Sequence, residues 1–356
     1  MKVCILGDGL SSLTLAGALV NQNIQVDVGI KNKHKINKSR TIGISKSNFE
    51  YINKYIVKIN HISWKLKKIE IFSDNLVNEK LLNFENSQDY LFSIVRNSEF
   101  YKILEKKLLK NKFFNRVLIN NFSILNKYDL VINTDPSNLI TKKYFNKKII
   151  KKYNSIAYTT ILKHESTSNI SAIQIFTKRG PIAFLPISKN ETSVVYSLNN
   201  LKLNNSEDIE NFIQKYNFKF KISKISKIEK FELKSLNLRS YYYKNVLAFG
   251  DLLHRVHPLA GQGFNMTIRD IISLSKIIKN KIDLGLSLDS SVNSEFERSL
   301  RHRNFLFSSS IDLIHEFFNF ERKFDNNFLS KSVKLLGKNY LINKMFTKIA
   351  DKGIEF

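Results

Sequence analysis

A glycine-containing hexapeptide lies near the start of this 356-residue chain. It reads Gly7-Asp8-Gly9-Leu10-Ser11-Ser12 and follows an apolar run over residues 3–6. Two glycines at this spacing suit a tight turn and a close approach of the backbone to a diphosphate, and Ser12 stands where a third glycine would let helix and strand pack closely. Free amides at the start of the next helix would hold the diphosphate. An ordinary strand-to-helix turn is the alternative interpretation.

A second glycine-containing block, residues 250–270, reads GDLLHRVHPLAGQGFNMTIRD. Gly261 and Gly263 leave room for a planar ring close to the backbone, and amides at the start of a helix stabilise negative charge on such a ring. By themselves the two glycines also fit a helix-entry turn. His254 and His257 lack a further ligand at metal-like spacing, so we predict structural hydrogen-bonding roles for both and no metal site.

The spacing of apolar residues predicts the elements that position these blocks. A strand, the glycine turn, a helix to about Val20 and a strand over residues 25–30 predict a β-α-β opening. Buried strands are predicted at residues 129–133 and 246–249, and helices at 100–109, at 263–278 and from about 289 onward. Alternating patterns predict antiparallel strands at residues 61–72, 80–84 and 90–95. A second strand-rich block, bounded by turn residues, is predicted at residues 158–163, 170–177, 182–186 and 193–198.

Composition excludes several classes of protein. The chain carries 57 Lys plus Arg and 31 Asp plus Glu, a formal net charge of +26, yet its 43% hydrophobic content can build a core. Cys4 is the single cysteine, so no disulfide framework is predicted. No apolar run reaches the roughly 18 residues of a spanning helix, and the N-terminus suits a strand, so a cytoplasmic location is predicted. The positive charge is spread along the chain, and no nucleic-acid partner is predicted.

Residues 250–270 resemble the flavin-binding segment of FAD-dependent aromatic hydroxylases of the para-hydroxybenzoate hydroxylase fold, most closely those of ubiquinone biosynthesis. Segments at residues 40–45, 96–98, 180–186, 296–303 and 312–313 agree with this family in order. The resemblance implies an α/β fold: a Rossmann-like FAD-binding domain, an inserted antiparallel β-sheet substrate domain and C-terminal helices. The predicted boundaries are 1–60, 96–150 and 241–288 for the FAD-binding domain, 61–95 and 151–240 for the substrate domain, and 289–356 for the helices.

The resemblance also implies the cofactor, FAD, and the residues around it. The predicted cofactor-binding residues are Gly7, Gly9, Ser12, Arg40, Arg96, Gly250 and Asp251. The predicted flavin loop comprises Pro258, Gly261, Gly263, Phe264 and Asn265. No side chain is assigned as catalytic acid or base.

Three positions depart from the family pattern. Gly29-Ile30-Lys31 replaces the acidic residue that usually ends the second strand, and Asp27 lies too early to take its place. Leu252-Leu253 replaces Ala-Ala. Thr134-Asp135-Pro136 replaces Ala-Asp-Gly, and the proline removes a backbone amide.

The resemblance implies an FAD-dependent monooxygenase that hydroxylates the aromatic ring of a polyprenylated phenol in ubiquinone biosynthesis. Dioxygen is the co-substrate, and the electron donor is NAD(P)H or a reductase. Two alternatives stay open. One is an FAD-dependent reductase or a hydroxylase of a soluble aromatic. The other is a flavin-lacking accessory protein that binds lipid.

The last predicted helix has two distinct faces. Leu341, Met345 and Ile349 share one, and Lys344, Lys348 and Lys352 share the other. Such a helix suits an anionic membrane surface, which would place the protein peripherally on the inner face of the membrane. A helix packed on the core with solvated lysines is the equal alternative.

Overall fold

The computed structural model of the chain describes residues 1–30, 39–74, 80–86, 88–119, 122–199, 206–324, 328–337 and 339–354. Lys31 lies outside the described residues. The strands are β1 (Lys2–Leu6), β2 (Gln25–Ile30), β3 (Thr41–Ser45), β4 (Ser63–Leu66), β5 (Lys68–Ser73), β6 (Lys80–Glu85), β7 (Phe92–Arg96), β8 (Phe114–Leu118), β9 (Leu130–Asn133), β10 (Lys148–His164), β11 (Ser171–Thr177), β12 (Gly180–Pro186), β13 (Glu191–Asn199), β14 (Ile222–Ile225), β15 (Glu229–Leu238), β16 (Tyr242–Tyr243), β17 (Val246–Ala248) and β18 (His254–Arg255).

The helices alternate with these strands in the first part of the chain and close the second part. They are α1 (Leu10–Val20), α2 (Lys46–Tyr51), α3 (Asn97–Leu108), α4 (Leu139–Tyr144), α5 (Ser206–Tyr216), α6 (Gln262–Asp283), α7 (Ser290–Phe324), α8 (Phe328–Gly337) and α9 (Tyr340–Lys352). None of them, within the described residues, combines the length and apolar character that a membrane-spanning segment requires.

A mostly parallel sheet forms the first layer, with the strand order β16-β17-β9-β1-β2-β8. Strands β1, β2, β8, β9 and β17 run parallel, and β16 joins the edge antiparallel to β17. Strands β1 and β9 are mostly apolar and almost wholly buried, as expected of a parallel sheet covered on both faces. The predicted β-α-β opening is confirmed. Strand β8 was not predicted, because its sequence Phe-Asn-Arg-Val-Leu carries polar residues in the middle.

A larger, mostly antiparallel sheet forms the second layer, with the order β18-β15-β10-β13-β12-β11-β5-β6 and β14 paired to β10. Strands β5 and β11 run parallel, so the prediction of antiparallel strands is wrong for this one pair. The single strand predicted over residues 61–72 is also wrong. Lys67 separates β4 from β5, and β4 pairs with β7 in a small third sheet, β3-β7-β4.

The predicted domain boundaries stay a prediction, and the strand pairing crosses them at two places. Strand β10 begins at Lys148, and β18, within the predicted FAD-binding segment 241–288, pairs with β15 of the larger sheet.

The hydrophobic core has one main cluster for each of the two layers. One cluster of buried apolar residues packs around β1, α1 and α6, and a second lies on the outer side of the larger sheet under α5.

Asp27 has a structural role inside the parallel sheet. Its carboxylate is buried and accepts hydrogen bonds from Tyr128 Oη at 2.7 Å and Asn115 Nδ2 at 3.2 Å. Lys2 Nζ lies 2.8 Å away. Burial alone raises the pKa of Asp27, but the hydrogen bonds from Lys2, Tyr128 and Asn115 outweigh it and lower the pKa. The Asp27 carboxylate is therefore engaged by residues of the fold itself.

Candidate functional site

A large cavity of about 1550 Å³ lies between the two layers. This volume exceeds the usual pocket of a drug-sized ligand, roughly 300–1,000 Å³, so it has room for a dinucleotide and a second molecule. Nine of the predicted site residues line it: Gly7, Gly9, Ser12, Arg40, Asp251, Pro258, Gly261, Gly263 and Phe264. The fold thus brings together the two glycine-containing blocks, which are more than 200 residues apart in the sequence.

The first block presents an open helix N-terminus to the cavity. Gly9 is the N-cap of α1, no side chain caps the helix there, and its first turn contains no acidic residue. A Cβ atom built on Gly9 would meet nothing within 4 Å. The first amides of an α-helix have no partner within the helix, and the helix dipole favours an anion beside them. This end of the cavity therefore suits a diphosphate.

Ser12, at the position of the third glycine, is hydrogen-bonded to Thr134, which belongs to the Thr134-Asp135-Pro136 departure. The Ser12 hydroxyl is buried and lies 2.7 Å from Thr134 Oγ1, which itself donates to the Leu6 carbonyl at 2.8 Å. Ser12 is therefore the donor to Thr134. The pair ties α1 to the chain after β9. Pro136 lines the cavity beside Asp135, whose carboxylate is occupied by Ser137.

The second block brings another open helix N-terminus to the same cavity. Gly261 is the N-cap of α6 and has a left-handed backbone, with φ +64°, which favours glycine. No side chain caps α6. Helix geometry leaves the amides of Gly263 and Phe264 without intrahelical partners, whereas Asn265 is the first residue whose amide can bond within the helix. Of the predicted flavin-loop residues, Gly263 and Phe264 are therefore the two whose helix N-terminal amides can face a ligand.

Asn265 is fully buried and acts through its side chain. Its carboxamide donates to the Gly43 carbonyl at 2.9 Å and accepts from the Ser45 amide at 2.9 Å. Asn48 donates to the same oxygen at 3.0 Å. These bonds hold β3 against the start of α6. Asn265 therefore lies behind the cavity wall, and sequence spacing alone did not indicate this role.

Gly250 also lies behind the wall. It is buried with φ +63°, and a Cβ there would come within 3.1 Å of the Ser11 side chain. Its lack of a side chain lets α1 approach the second block. The next residue, Asp251, is exposed to the cavity, and the structure gives its carboxylate no hydrogen bond or ion pair among the described residues. Leu252 and Leu253, the departures from Ala-Ala, are buried in the core.

The two predicted arginines are placed differently. Arg40 is exposed and lines the cavity. Arg96 does not line it, although its neighbour Asn97 does. The Arg96 guanidinium instead lies 2.7 Å from the Glu191 carboxylate and 3.7 Å from that of Glu99. Contact between Arg96 and a cofactor stays a prediction.

His254 has a structural partner. Its Nε2 donates to Asp270 at 2.5 Å, and Asn304 donates to the other oxygen of that carboxylate at 3.0 Å. All three residues are buried, so the network joins β18, α6 and α7. His257 is buried and packs edge-on against Tyr153, with ring centroids 4.8 Å apart. Among the described residues no group of three metal-ligating side chains forms.

The phenol of Tyr90 lines the cavity and stays protonated at neutral pH. Burial, with the charges of Glu50 and Asp89, raises the pKa of Tyr90 to about 12. Lys46 also lines the cavity, with its ammonium 2.5 Å from the Asp89 carboxylate. Tyr90 is therefore a hydrogen-bond donor and not a base.

Helix α9 completes part of the wall, which the sequence did not predict. Asp351 accepts hydrogen bonds from the amide and hydroxyl of Ser47, at 2.9 and 2.7 Å, and so caps α2 from the far end of the chain. Gln262 of α6 donates to the Ala350 carbonyl at 3.2 Å. Helix α9 is thereby attached to the segments that carry the second block.

The residues of this site fit FAD. Two uncapped helix N-termini face one cavity, an open carboxylate at Asp251 is available to hydroxyl groups, and Gly9 leaves space that a side chain would fill. A parallel sheet with a glycine turn after its first strand, joined to a mostly antiparallel sheet across a shared cavity, is the arrangement of a dinucleotide-binding protein.

Comparisons with known proteins agree with this class. Residues 170–283 match a family model described as an FAD binding domain, which confirms the prediction of FAD as cofactor. A ubiquinone biosynthesis monooxygenase COQ6 of Xenopus tropicalis is 26% identical over 233 residues, covering 53% of this chain and 50% of the relative. The 3-demethoxyubiquinol 3-hydroxylase of Escherichia coli (strain K12) is 28% identical over 159 residues, covering 42% of this chain and 40% of the relative.

The fold comparison extends over nearly the whole chain. The structure of p-nitrophenol 4-monooxygenase PnpA from Pseudomonas putida DLL-E4 matches with a TM-score of 0.79 at 12% identity, covering 99% of this chain and 98% of that one. The predicted α/β fold is confirmed. The predicted resemblance is confirmed as well: the chain is similar to ubiquinone-biosynthesis hydroxylases and has the fold of FAD-dependent monooxygenases. It spans about half the length of the curated relatives that it matches.

Proposed function

We propose that the protein is an FAD-dependent monooxygenase that hydroxylates the aromatic ring of a polyprenylated phenol in ubiquinone biosynthesis. The observation that carries the proposal is the shared cavity between the layers, because the same space is lined by the dinucleotide-type loops and by a largely apolar sheet face. The relatives named for ubiquinone biosynthesis support this choice of substrate.

The chain contributes binding, orientation and exclusion of water. The amides at the start of α1 hold the diphosphate, and Asp251 accepts hydrogen bonds from the hydroxyl groups of the ribityl chain. The positive end of the α6 dipole stabilises negative charge beside Gly263 and Phe264. Bound FAD supplies the redox chemistry that transfers an oxygen atom from dioxygen to the ring.

Apolar side chains on the facing sheet and helices keep water from the reacting centre. Ile71 of β5, Leu185 of β12 and Phe317 of α7 are among them. His254 is engaged with Asp270, and we assign no described side chain as a catalytic acid or base. The reactivity then comes from the electron-rich aromatic ring of the phenol substrate.

The purified protein is expected to contain FAD and to consume dioxygen with a prenylated phenol. The measurement is the visible spectrum, identification of the released flavin, and oxygen uptake with product analysis, using NADH, NADPH or a reductase as electron donor. Hydroxylation of 4-hydroxybenzoate in place of the prenylated phenol would favour the soluble-aromatic alternative. Reduction of the substrate without oxygen uptake would favour a reductase. A protein that stays free of flavin after reconstitution with excess FAD would contradict the proposal and favour a lipid-binding accessory role.

We also propose that the protein works at an anionic membrane surface on the inner face of the membrane. Exposed apolar side chains lie on the three C-terminal helices: Leu313 of α7 is 69% exposed, Leu335 of α8 75% and Leu341 of α9 73%. Leu313 also lines the cavity, so this exposed side chain reaches its edge. Lys344, Lys348 and Lys352 are exposed on α9 and suit anionic headgroups. Ile349, by contrast, packs against the core, so only part of the apolar face of α9 is open.

Leu341→Asp is expected to weaken binding to phosphatidylglycerol vesicles by at least about tenfold, because it removes apolar area from the interface and adds a negative charge. Vesicle flotation measures the binding. Leu284→Asp is the matched control, because Leu284 is equally exposed, at 73%, but follows α6. Equal losses in the two variants, or none in Leu341→Asp, would exclude this surface.

A further inference from the structure

We propose that Gln174 is the specificity-determining residue that binds the oxygen substituent of the aromatic ring. This inference rests on the proposed function and deepens it. Gln174 lies in β11, whose sequence Ser-Ala-Ile-Gln-Ile-Phe-Thr is otherwise apolar at its centre. No family motif or predicted site included it.

The strand register places Gln174 in a row that crosses the larger sheet. Its direct neighbours are Ile71 on β5 and Ala183 on β12. Ala183 pairs in turn with Val195 on β13. Because paired residues of adjacent strands point to the same side of a sheet, the side chains in this row share one face. All four line the cavity, so this face is its floor.

The burial pattern supports the same orientation. Gln174 is the one partly exposed residue in β11, and Ala183 and Val195 are partly exposed in strands that are otherwise mostly buried. In the middle of a large sheet such exposure arises where the side chain meets an open cavity. The Gln174 carboxamide is thus accessible from the cavity and flanked by apolar neighbours.

The other polar side chains that β10, β12 and β13 contribute to the cavity already have partners. Thr41 Oγ1 donates to Ser193 Oγ at 2.9 Å, and the hydroxyl of Thr159 lies 3.3 Å from that of Ser39. The structure gives the Gln174 carboxamide no hydrogen bond to any described residue. An apolar ligand that covered this group would leave it unsatisfied, whereas a phenol offers both a donor and an acceptor.

The floor and the flavin loop are linked across the cavity by β3. Thr41 donates a hydrogen bond to Ser193 on the floor. Gly43 lies beside Gly261, because a Cβ built on Gly261 would be 3.7 Å from the Gly43 amide nitrogen. Two strand spacings, roughly 10 Å, separate Gln174 from Val195 along the floor. Gln174 therefore shares the cavity floor with Ser193, which β3 connects to the second glycine block.

The test compares two ligands that differ only in the hydroxyl, 2-geranylphenol and geranylbenzene. Their dissociation constants are measured by the change in flavin fluorescence and by titration calorimetry. The wild type is expected to bind the phenol about tenfold more tightly, the factor that one net hydrogen bond provides. In Gln174→Leu this preference is expected to fall to less than twofold. Gln174→Met, which keeps the length of the side chain, should behave in the same way.

Ile71→Leu is the matched control, because Ile71 is the neighbour of Gln174 on the same face and carries no polar group. It is expected to change both affinities in parallel and to keep the preference. A preference retained in Gln174→Leu and Gln174→Met would overturn the inference, as would an equal loss in Ile71→Leu. Absence of FAD, or of binding of either ligand to the wild type, would instead overturn the proposed function itself.

Discussion

A valine in place of Gly9 is expected to lower the affinity for FAD by at least about 100-fold, or about 3 kcal/mol, while the apoprotein stays folded. Gly9 has φ −69° and ψ 175°, an extended conformation that any residue adopts, and a Cβ there meets no protein atom within 4 Å. The backbone therefore does not require glycine. The valine side chain would instead fill the part of the cavity where the diphosphate approaches the start of α1.

Two measurements on Gly9→Val separate these effects. The FAD content and dissociation constant report the cofactor site, and the urea midpoint of the apoprotein reports the fold. Valine is a poorer N-cap than glycine, so a loss of up to about 1 kcal/mol in the free energy of unfolding is expected. Gly9→Ala should give an intermediate FAD affinity. Wild-type FAD affinity in Gly9→Val would contradict the assignment of this turn as the diphosphate site.

Replacement of Gly180 by alanine is expected to destabilise the protein by about 3–5 kcal/mol, enough to prevent accumulation of a marginally stable chain. Gly180 begins β12 with φ +134°, and a Cβ there would lie 1.9 Å from the Ser197 carbonyl oxygen. That oxygen belongs to the backbone of β13, within the larger sheet, so it has little freedom to move. The overlap must displace β12, which carries Ala183 and Leu185 on the cavity floor.

Gly285→Ala is the matched control for Gly180→Ala. Gly285 also has a positive φ, +70°, but a Cβ there would meet nothing within 4 Å. Its loss of stability should reflect backbone strain alone, about 1 kcal/mol. Thermal or urea unfolding measures both variants. Similar losses at the two positions would show that the β12–β13 contact relaxes freely and would contradict the expected overlap.

Several elements of the fold follow from short stretches of sequence. The pattern of residues 3–30 predicted β1, α1 and β2, and their bounds agree with the structure within a residue or two. Residues 250–270 likewise indicated a glycine-containing loop that opens a helix, now seen at Gly261 and α6. These features depend on local sterics, helix capping and apolar spacing, which a sequence displays directly.

The partners of each strand depend on distant residues, so local patterns did not show them. Residues 61–72 alternate like one strand, yet the structure splits them between two sheets and pairs β5 parallel to β11. The placement of Gln174 on the cavity floor depends on the same register, because alternation shows that side chains point to opposite faces without showing which face is covered.

Some features of the protein are evident from its sequence, whereas the partners of its buried side chains depend on the tertiary structure. The sequence by itself determined the fold class, the two loops that line the cavity and the resemblance to flavin-dependent hydroxylases. The tertiary structure decided that Arg96 pairs with Glu191, that Ser12 bonds to Thr134 and that Asp351 caps α2. Each of these contacts joins residues at least 95 positions apart, and their proximity is set by the packing of the two layers.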